Sequence, residues 1–596
     1  MTALSPQPRD VITSPRRGPS PRARGRGRRL QWRWLLAFVP FALLFAVALV
    51  APLYILFEYA VGNSTSWSGV FHSPVQVDGL VRTLAISLET TAICIVVGYA
   101  YAGAVVGARP RLRALLLGIA VLPFLVSTLV RSYGWIVVLG PNGPLNGMLG
   151  WFGLHAGFLY NRLGVMIGMV SIMLPFFILP LYAVWSQVPD NLRRAARTLG
   201  ANRVDAFLRV DLPLTLPGAA AGTLLVFITS MGFFITPSLL GGEHDRMVSQ
   251  LIDEQLTRLV DLNGAAVLAV LLLAAVVLLL VLFRFFYPIE LLFVQDARTL
   301  EESAATRGSG RVRRALPRRP GGGRALLAVT RVADVLPWHR ICQLLAGATA
   351  VFFVIPLLIV IPISLTGESY LHFPPSSLSL RWFHQVLGDP TWREAALHSL
   401  IAGVLAVSIA LAVGLPAAFA LVRSRMSSRV KGLVMLLATL PVMLPPIVLA
   451  LAMYAWYLQE HLLDSLPALA LAQALLGLPF VIVIVMSALR DFDERLERAA
   501  RSLGARWRTT LRLVTLPLLK RAIWAGVLFA FLQSFDELLI ARAVTGVGTQ
   551  TLPVVMWNGA NEQISPALGA VSVLFMLVTL AALGALALIR RTNEVR

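Results

Sequence analysis

The sequence predicts an all-α polytopic membrane protein built from two parallel halves with six transmembrane helices each. First, 57% of the 596 residues are hydrophobic and only 14% are charged, which is too apolar for the surface of a soluble protein. Second, twelve apolar segments are long enough to cross a bilayer, which takes about 20 residues as a helix. Third, one stretch of the chain recurs 304 residues later. Because the number of spans is even, both termini are expected on one side of the membrane.

The twelve predicted spans are divided equally by a basic central segment. They begin near Leu35, Leu84, Leu115, Gly164, Pro217, Asn263, Leu344, Leu397, Leu433, Pro467, Ile523 and Leu568. The predicted organisation is a basic cytoplasmic tail (1–33), a first half (34–288), a cytoplasmic linker rich in Arg, Gly and Pro (289–340), a second half (341–590) and a cytoplasmic C-terminus (591–596).

The basic residues fall mainly on one side of the predicted membrane. Of the 52 Lys and Arg residues, 43 lie in the tails and in the segments that share a side with the N-terminus. This asymmetry is the positive-inside pattern and predicts that both termini are cytoplasmic. It also explains the net charge of +22 without a nucleic-acid partner, so the stretch PRARGRGRR is interpreted as a topogenic tail. The first apolar run is longer than the core of a signal peptide and is expected to stay in the protein.

The repeated stretch covers residues 192–214 and 496–518, where 12 of the 23 aligned positions are identical. Each half has six predicted spans. Because six is an even number, the second half enters the membrane in the same orientation as the first, as a parallel repeat. Each copy predicts a cytoplasmic loop, 188–216 in the first half and 490–521 in the second. The sequence therefore indicates two fused subunits.

Each loop is predicted to hold a short helix with small residues on its surface. The segment Ala-Ala-Arg-x-Leu-Gly-Ala ends this helix at Gly200 or Gly504, since glycine adopts the positive φ of a helix C-cap. A second short amphipathic turn follows, and Leu-Pro closes it before the next span. One such helix–turn–helix per half fits a partner with two-fold symmetry. The alternative is a basic loop that only fixes topology, which does not explain the repeated glycine and Leu-Pro.

Both loops resemble the EAA coupling loop of permeases from binding-protein-dependent ABC importers, whose pattern is Glu-Ala-Ala, three residues, Gly and then Leu-Pro. The resemblance implies the type I ABC importer fold and a loop that transmits nucleotide-driven closure from an ATP-binding subunit. The sequence departs from this pattern at the glutamate, which is replaced by arginine in both copies. The coupling residues implied are Arg194, Ala195, Ala196, Gly200, Leu212 and Pro213 in the first loop and Arg498, Ala499, Ala500, Gly504, Leu516 and Pro517 in the second.

Stretches outside the loops resemble the spermidine/putrescine branch of this family. VRSYGWIVVLGPNGPLN at 130–146 and FFITPSLLGG at 233–242 are similar to its first permease, and SFDELLIARAVTGVGTQTLPVVMWNG at 534–559 is similar to its second. The resemblance implies a fused permease of a bacterial inner membrane that receives a polyamine from an external binding protein. It also implies two cytoplasmic ATP-binding subunits, which would use ATP and Mg²⁺, and no cofactor on this chain.

No covalent chemistry is expected of this chain. A P-loop needs a lysine after glycine, whereas the only two lysines, Lys431 and Lys520, each follow an apolar residue. The only two cysteines, Cys94 and Cys342, support neither a disulfide framework nor a Cys-based metal site. The prediction is therefore a transport subunit with no catalytic residues and no bound metal.

The acidic pair Asp536 and Glu537 is the leading candidate for contact with a cationic cargo. Ionisable residues inside spans are costly and mark functional sites. Counted from Ile523, Asp536 would lie roughly 20 Å from the cytoplasmic end of the eleventh span, in the outer half of the bilayer. Carboxylates with nearby aromatic rings attract polycations, and the aromatic candidates are Tyr133, Trp135 and Trp557. Alternatively, the two carboxylates pair internally with Arg131 or Arg542 or cap a broken helix.

Three other functions remain open. A secondary transporter also often has twelve spans in two parallel halves, although it has no need of coupling loops. A fused ABC permease for ferric iron, opines or aminophosphonates fits the same architecture. A signalling or scaffold membrane protein would be expected to carry a sensor or enzyme domain, and none is visible.

Overall fold

The computed structural model describes residues 36–286 and 338–591, apart from residues 63, 155, 425 and 563. The predicted basic tail, the linker up to residue 337 and the chain beyond residue 591 lie outside the described residues. Within the described part, the regular elements are helices, and the only pairing of extended backbone is an isolated bridge between Thr366 and Leu378. The predicted all-α class is confirmed.

The helices of the first half run from the first span to the sixth. They are α1 (Val39–Phe45), α2 (Ala51–Val61), α3 (Ser64–His72), α4 (Pro74–Gly107), α5 (Pro110–Val121), α6 (Thr128–Leu139), α7 (Pro144–Gly150), α8 (Arg162–Trp185), α9 (Asp190–Thr198), α10 (Arg203–Ala206), α11 (Leu212–Met231), α12 (Ile235–Leu240), α13 (Val248–Thr257) and α14 (Leu262–Phe286).

The second half repeats this order, with differences near its start. Its helices are α15 (Trp338–Leu358), α16 (Val360–Ser364), α17 (Arg381–Gly388), α18 (Pro390–Arg423), α19 (Ser428–Met443), α20 (Pro446–Gln459), α21 (Leu466–Arg490), α22 (Glu494–Ser502), α23 (Trp507–Thr510), α24 (Leu516–Phe535), α25 (Leu539–Val544), α26 (Leu552–Glu562) and α27 (Pro566–Arg591).

The duplication extends well beyond the repeated loop. From α8 to α14 every α-helix begins 304 residues before its counterpart in the second half, as shown by Arg162 and Leu466 at one end and Leu262 and Pro566 at the other. The offset that the sequence shows over 23 residues thus holds for seven consecutive α-helices. The prediction of two parallel halves is confirmed.

The predicted spans are all helical, but two of them are broken. Nine described helices are long and apolar enough to cross a membrane by themselves. In the third predicted span, the segments Pro110–Leu125 and Thr128–Gly150 meet at 104°, and in the ninth, α19 and α20 meet at 93°. Proline lacks the N–H that a continuous helix needs, and the second break holds two in succession, Pro445 and Pro446.

The predicted end of each coupling loop at Leu-Pro is wrong. Continuous helices run Val204–Met231 and Trp507–Phe535, and each contains a π turn immediately before the proline, at Phe207–Asp211 and Leu511–Thr515. The wider π turn accommodates the proline without ending the helix. The fifth and eleventh spans therefore begin about four turns earlier than the sequence predicts.

The first helix of each half packs on the other half. α2 contacts α20 of the second half as well as α14 of its own half, and α15 contacts α4 and α6 of the first half. The central spans are α8 and α21, which are the most buried. One cluster of buried side chains contains residues of both halves. The surface along which the halves meet, here called the seam, includes α2, α6, α15 and α20 and the ends of α11 and α24.

Candidate functional site

Neither of the coupling helices α9 and α22 contains a buried residue. Each ends in the same way. Gly200 and Gly504 have φ values of +86° and +87°. The N–H groups of Gly200 and Ala201 bond the carbonyls of Arg197 and Ala196, and the second copy repeats both bonds. This pattern is the Schellman motif, so the predicted glycine C-caps are confirmed.

The C-cap residue of each coupling helix presents an apolar side chain to solvent. Leu199 is 88% exposed and Leu503 is 89% exposed. Arg194 and Arg498, which replace the family's glutamate, are also exposed, as are Ala195 and Ala499. The same apolar side chain is therefore exposed at the same place in both halves.

The two loops are tied to the membrane helices by different side chains. In the first half, Arg193 Nε lies 2.6 Å from Asp211 Oδ1, which also accepts a hydrogen bond from Trp185. In the second, the positions aligned with Arg193 and Asp211 are Glu497 and Thr515, and the Thr515 hydroxyl donates to Glu497 at 2.9 Å. Both arrangements fix the coupling helix to the π turn that begins the following span.

Leu-Pro, the last predicted coupling feature, lies where the π turn meets the span. Leu212 and Leu516 begin α11 and α24, and Pro213 and Pro517 occupy their first turns. Each span therefore continues directly from the π turn to which the coupling helix is tied.

Asp536 lies at the end of α24 rather than inside a span, and it contacts the first half. Its carboxylate accepts hydrogen bonds from the Ser127 hydroxyl and, at 3.3 Å, from the Thr128 N–H. These groups begin α6, so Asp536 caps the helix that follows the break in the third span. Arg131, one turn further along α6, attracts the same carboxylate electrostatically.

The aligned contact on the other side of the seam is apolar. Gly232 aligns with Asp536, and Pro445 and Pro446 align with Ser127 and Thr128. A Cβ atom on Gly232 would lie 2.5 Å from the Pro445 Cβ and 2.7 Å from its Cα. The seam therefore has two related crossings, one polar and one apolar.

Glu537 caps a helix of its own half. Its carboxylate accepts hydrogen bonds from the N–H groups of Ile540 and Ala541 at 2.8 Å and 3.0 Å, at the start of α25. The capping alternative that the sequence left open thus describes the contacts of both acidic residues.

All three aromatic candidates are buried, and two of them donate hydrogen bonds to protein groups. Tyr133 donates its hydroxyl to the Ser565 carbonyl at 3.1 Å. Trp135 donates its Nε1–H to the Ser171 hydroxyl at 2.9 Å, and its ring lies 4.9 Å from that of Phe352. Both lie where the first half meets the start or end of the second.

Trp557 lines a cavity between the halves on the side of α13 and α26. The cavity has a volume of about 320 Å³, at the lower end of small-molecule sites. Its walls are Phe234, Ser238, Arg246, Gln250, Asp253, Glu254, Thr257 and Arg258 from the first half and Arg542, Trp557, Asn558, Asn561 and Glu562 from the second.

Arg542 is the residue that joins the two walls of this cavity. It forms an ion pair with Asp253 across the seam. Its guanidinium carbon lies 5.7 Å from the centre of the Phe234 ring and 5.5 Å from that of Trp557. Burial raises the pKa of Asp253, and the Arg542 charge opposes that rise.

Sequence reasoning named Arg542 only as an alternative partner for Asp536 or Glu537, and it missed Asp253 and Phe234. Asp253 lies 289 positions before Arg542 in the chain. The aligned positions in the other half are Trp557 and Ser238, so the repeat gives no signal for this ion pair.

A family model described as "Binding-protein-dependent transport system inner membrane component" matches residues 94–289 and 410–594. Among curated proteins, the chain is 37% identical over 230 residues to the spermidine/putrescine transport system permease protein PotB of Haemophilus influenzae, covering 37% of this chain and 79% of PotB. It is 29% identical to PotC of the same organism, covering 41% of this chain and 93% of PotC.

A longer relative covers both halves together. The probable ABC transporter permease protein y4fN of Sinorhizobium fredii is 27% identical over 471 residues, which is 77% of each chain. A solved bacterial alginate ABC transporter, in complex with alginate pentasaccharide-bound periplasmic protein, is 19% identical with a TM-score of 0.39, covering 44% of this chain and 94% of its own. Since the family model matches more than half of the chain and does so once in each half, the chain belongs to the binding-protein-dependent transport system inner membrane components, as a fused ABC importer permease.

Proposed function

We propose that this chain forms the whole translocation pathway of an ATP-driven importer for a small organic cation of the polyamine class. An external binding protein delivers the cargo to the outer side of the seam. Two separate ATP-binding subunits, which use ATP and Mg²⁺, engage the coupling loops from the cytoplasm, where both termini also lie. No cofactor, nucleic acid or catalytic residue of this chain takes part, and its other partner is membrane lipid.

The observation that carries the proposal is the pair of coupling helices. Neither contains a buried residue, and each ends in the same Schellman motif and presents one apolar residue, Leu199 or Leu503, to solvent. A proton-driven carrier has no need of such a pair. Two equivalent docking helices, one per half, support two ATP-binding subunits per chain.

The exposed arginines alter the expected pairing with those subunits. The family's glutamate would present a negative charge at this place, whereas Arg194 and Arg498 present a positive one. We infer that the facing groove of the ATP-binding subunit is acidic at two equivalent positions.

The polyamine assignment has two supports. The curated relatives PotB and PotC are named for spermidine and putrescine transport, and the outer cavity brings carboxylates and aromatic rings together. We propose that the pathway runs from Trp557 in that cavity past Asp536 and Glu537, with Tyr133 and Trp135 supporting its wall. Ferric iron, opines and aminophosphonates are the alternative cargoes.

The test is uptake of labelled spermidine by cells that lack their own polyamine importers and express this chain with its neighbouring ATPase and binding protein. Competing putrescine should block uptake, whereas ferric iron, opines and aminophosphonates should not. Uptake should stop when the ATPase is removed and survive collapse of the proton gradient. Uptake that needs the gradient and not the ATPase would instead identify a secondary transporter.

A further inference from the structure

The Arg542 guanidinium occupies a cage that both halves build. Asp253 and Phe234 come from the first half, and Trp557 comes from the second. The two rings are 5.0 Å apart at 40°, and the guanidinium lies within cation–π distance of both. Phe234 is 3% exposed and Trp557 is 4% exposed, so the rings are withdrawn from water.

This combination of groups is selective for one class of ligand. A carboxylate with two aromatic faces favours organic cations, whose charge is spread over weakly hydrated N–H and C–H groups. Guanidinium and alkylammonium ions both fit this description, whereas a small inorganic cation keeps its water. The cage is already occupied by such an ion, which is attached to the protein through α25.

The surrounding cavity leaves room for a longer cation to approach. It continues from the cage past Ser238 and Asn558 to Glu254 and Glu562. The Glu254 carboxylate is held by Arg246 at 3.0 Å, within the first half. Asp253 therefore differs from Glu254 in that its arginine partner, Arg542, comes from the opposite half.

We propose that Asp253, Phe234 and Trp557 form a binding site for an alkylammonium or guanidinium group, and that an incoming cation opens the outer side of the seam by taking the place of Arg542. The exchange removes the ion pair and the ring contact through which Arg542 holds the first half. The cage itself does not depend on the cargo proposed above. That the incoming cation is the cargo rests on that proposed function.

The cage is tested by chemical rescue of the full chain purified in detergent. Arg542→Ala should lower the midpoint of thermal unfolding, because it leaves the Asp253 carboxylate unpaired at the seam. Methylguanidinium should restore the midpoint saturably, whereas sodium chloride at the same ionic strength should not. Arg246→Ala, which removes an arginine from the same cavity, is the matched control and should not be rescued.

Two further variants secure this test. Asp253→Asn combined with Arg542→Ala should abolish the rescue, because the cage then lacks its charge. Should Arg542→Ala fail to give a monodisperse chain, Arg542→Gln replaces it, since the neutral amide leaves the Asp253 carboxylate without its cation. Equal rescue of Arg246→Ala, or no rescue of either Arg542 variant, overturns the cage.

The opening step is tested by labelling a single cysteine in the cavity. Ser238→Cys, in a chain with Cys94→Ala and Cys342→Ala, should react slowly with a membrane-impermeant maleimide. Arg542→Ala or added spermidine should speed the reaction at least about fivefold, the lower end of ordinary coupling between sites. Ser68→Cys on α3, outside the cavity, should be unaffected.

The outcomes separate the cage from the cargo. Rescue by methylguanidinium without spermidine uptake in cells retains the cage and removes the polyamine assignment. Spermidine uptake without rescue retains the importer and removes the cage. Unchanged labelling of Ser238→Cys in the Arg542→Ala chain overturns the opening step.

Discussion

Gly232 and Asp536 occupy one position in two copies of the same sequence, yet their neighbours differ in chemistry. Asp536 meets the polar start of α6, and Gly232 meets two prolines at the start of α20. The position holds a carboxylate where the opposite half presents hydrogen-bond donors, and a glycine where it presents closely packed prolines. The identity of the residue at this position is therefore set by the other half, and the duplicated sequence diverges where the halves touch.

At the apolar crossing, Gly232→Ala should destabilise the chain, because the added Cβ would lie 2.5 Å from the Pro445 Cβ. Overpacking of this kind costs about 1–3 kcal/mol. Thermal unfolding of the purified chain measures the effect, with Gly118→Ala in α5 as the control, since no atom lies within 4 Å of its added Cβ. Equal unfolding midpoints for both variants would contradict the close approach.

At the polar crossing, Asp536→Asn together with Glu537→Gln should abolish cation uptake while leaving assembly with the ATPase intact. Each carboxylate accepts hydrogen bonds on both of its oxygens, so each amide keeps one accepting oxygen and loses the other together with the negative charge. Asp536→Ala should also reduce stability, by the roughly 0.5–2 kcal/mol of a lost helix cap. Normal transport by the Asn/Gln double variant would mean that both carboxylates serve only as caps.

At the scale of the element, each coupling helix is followed by a turn in which a glycine has a positive φ and the chain reverses. A continuous helix then runs through the π turn into the span at Leu212-Pro213 and Leu516-Pro517. Docking at the coupling helix, as proposed above, would act on the span through this helix.

Gly200→Val and Gly504→Val should each uncouple transport from ATP hydrolysis. A β-branched residue strongly disfavours the φ values of +86° and +87°, so the Schellman motif would open and the coupling helix would lose its orientation. Uptake and ATPase activity of the assembled complex measure the effect. Gly107→Val, at the C-terminal end of α4 with open space around its Cβ, is the control. Unchanged uptake in both loop variants would remove the docking hypothesis.

Leu199→Ser with Leu503→Ser should weaken binding of the ATP-binding subunits without lowering the chain's own stability. Both side chains are almost fully exposed, so the folded chain alone loses little by their removal. Burying a leucine contributes about 1.5–3 kcal/mol, so affinity should fall at least about tenfold in a pull-down titration. Tight binding by the double variant would show that the leucines lie outside the interface.

At the scale of the whole molecule, the halves are held together by more than their connection in sequence. α2 packs on α20, and α15 packs on α4 and α6. The Arg542 ion pair and the Asp536 cap add polar links between the halves. The two halves are therefore joined by packing and polar contacts as well as by sequence.

Cutting the chain within the predicted linker should leave the two pieces associated. Residues 1–310 and 311–596, expressed as separate polypeptides, should copurify through a tag on one of them, because each piece supplies a helix to the other. The tagged second piece expressed alone is the control. Failure to copurify from membranes that contain both pieces would contradict the exchanged packing.

The sequence predicts the fold where the signal is local. Apolar runs identify the spans, and the repeated glycines identify the ends of the coupling helices. The breaks beside Ser127 and Pro445 were not predicted, because hydrophobicity gives the length of an apolar run but not the direction of its helix axis. The partner of Arg542 escaped because an ion pair between halves leaves no periodic pattern.

Because the first helix of each half packs on the other half, the order of synthesis decides when each of these helices meets its partner. α2 enters the membrane early in synthesis, but one of its main partners, α20, belongs to the second half. Until Pro446–Gln459 has emerged from the ribosome and been inserted, α2 has only its own half and lipid around it. In a chain truncated before that point, α2 would lack its partner α20, and we expect proteases that degrade incomplete membrane proteins to recognise it.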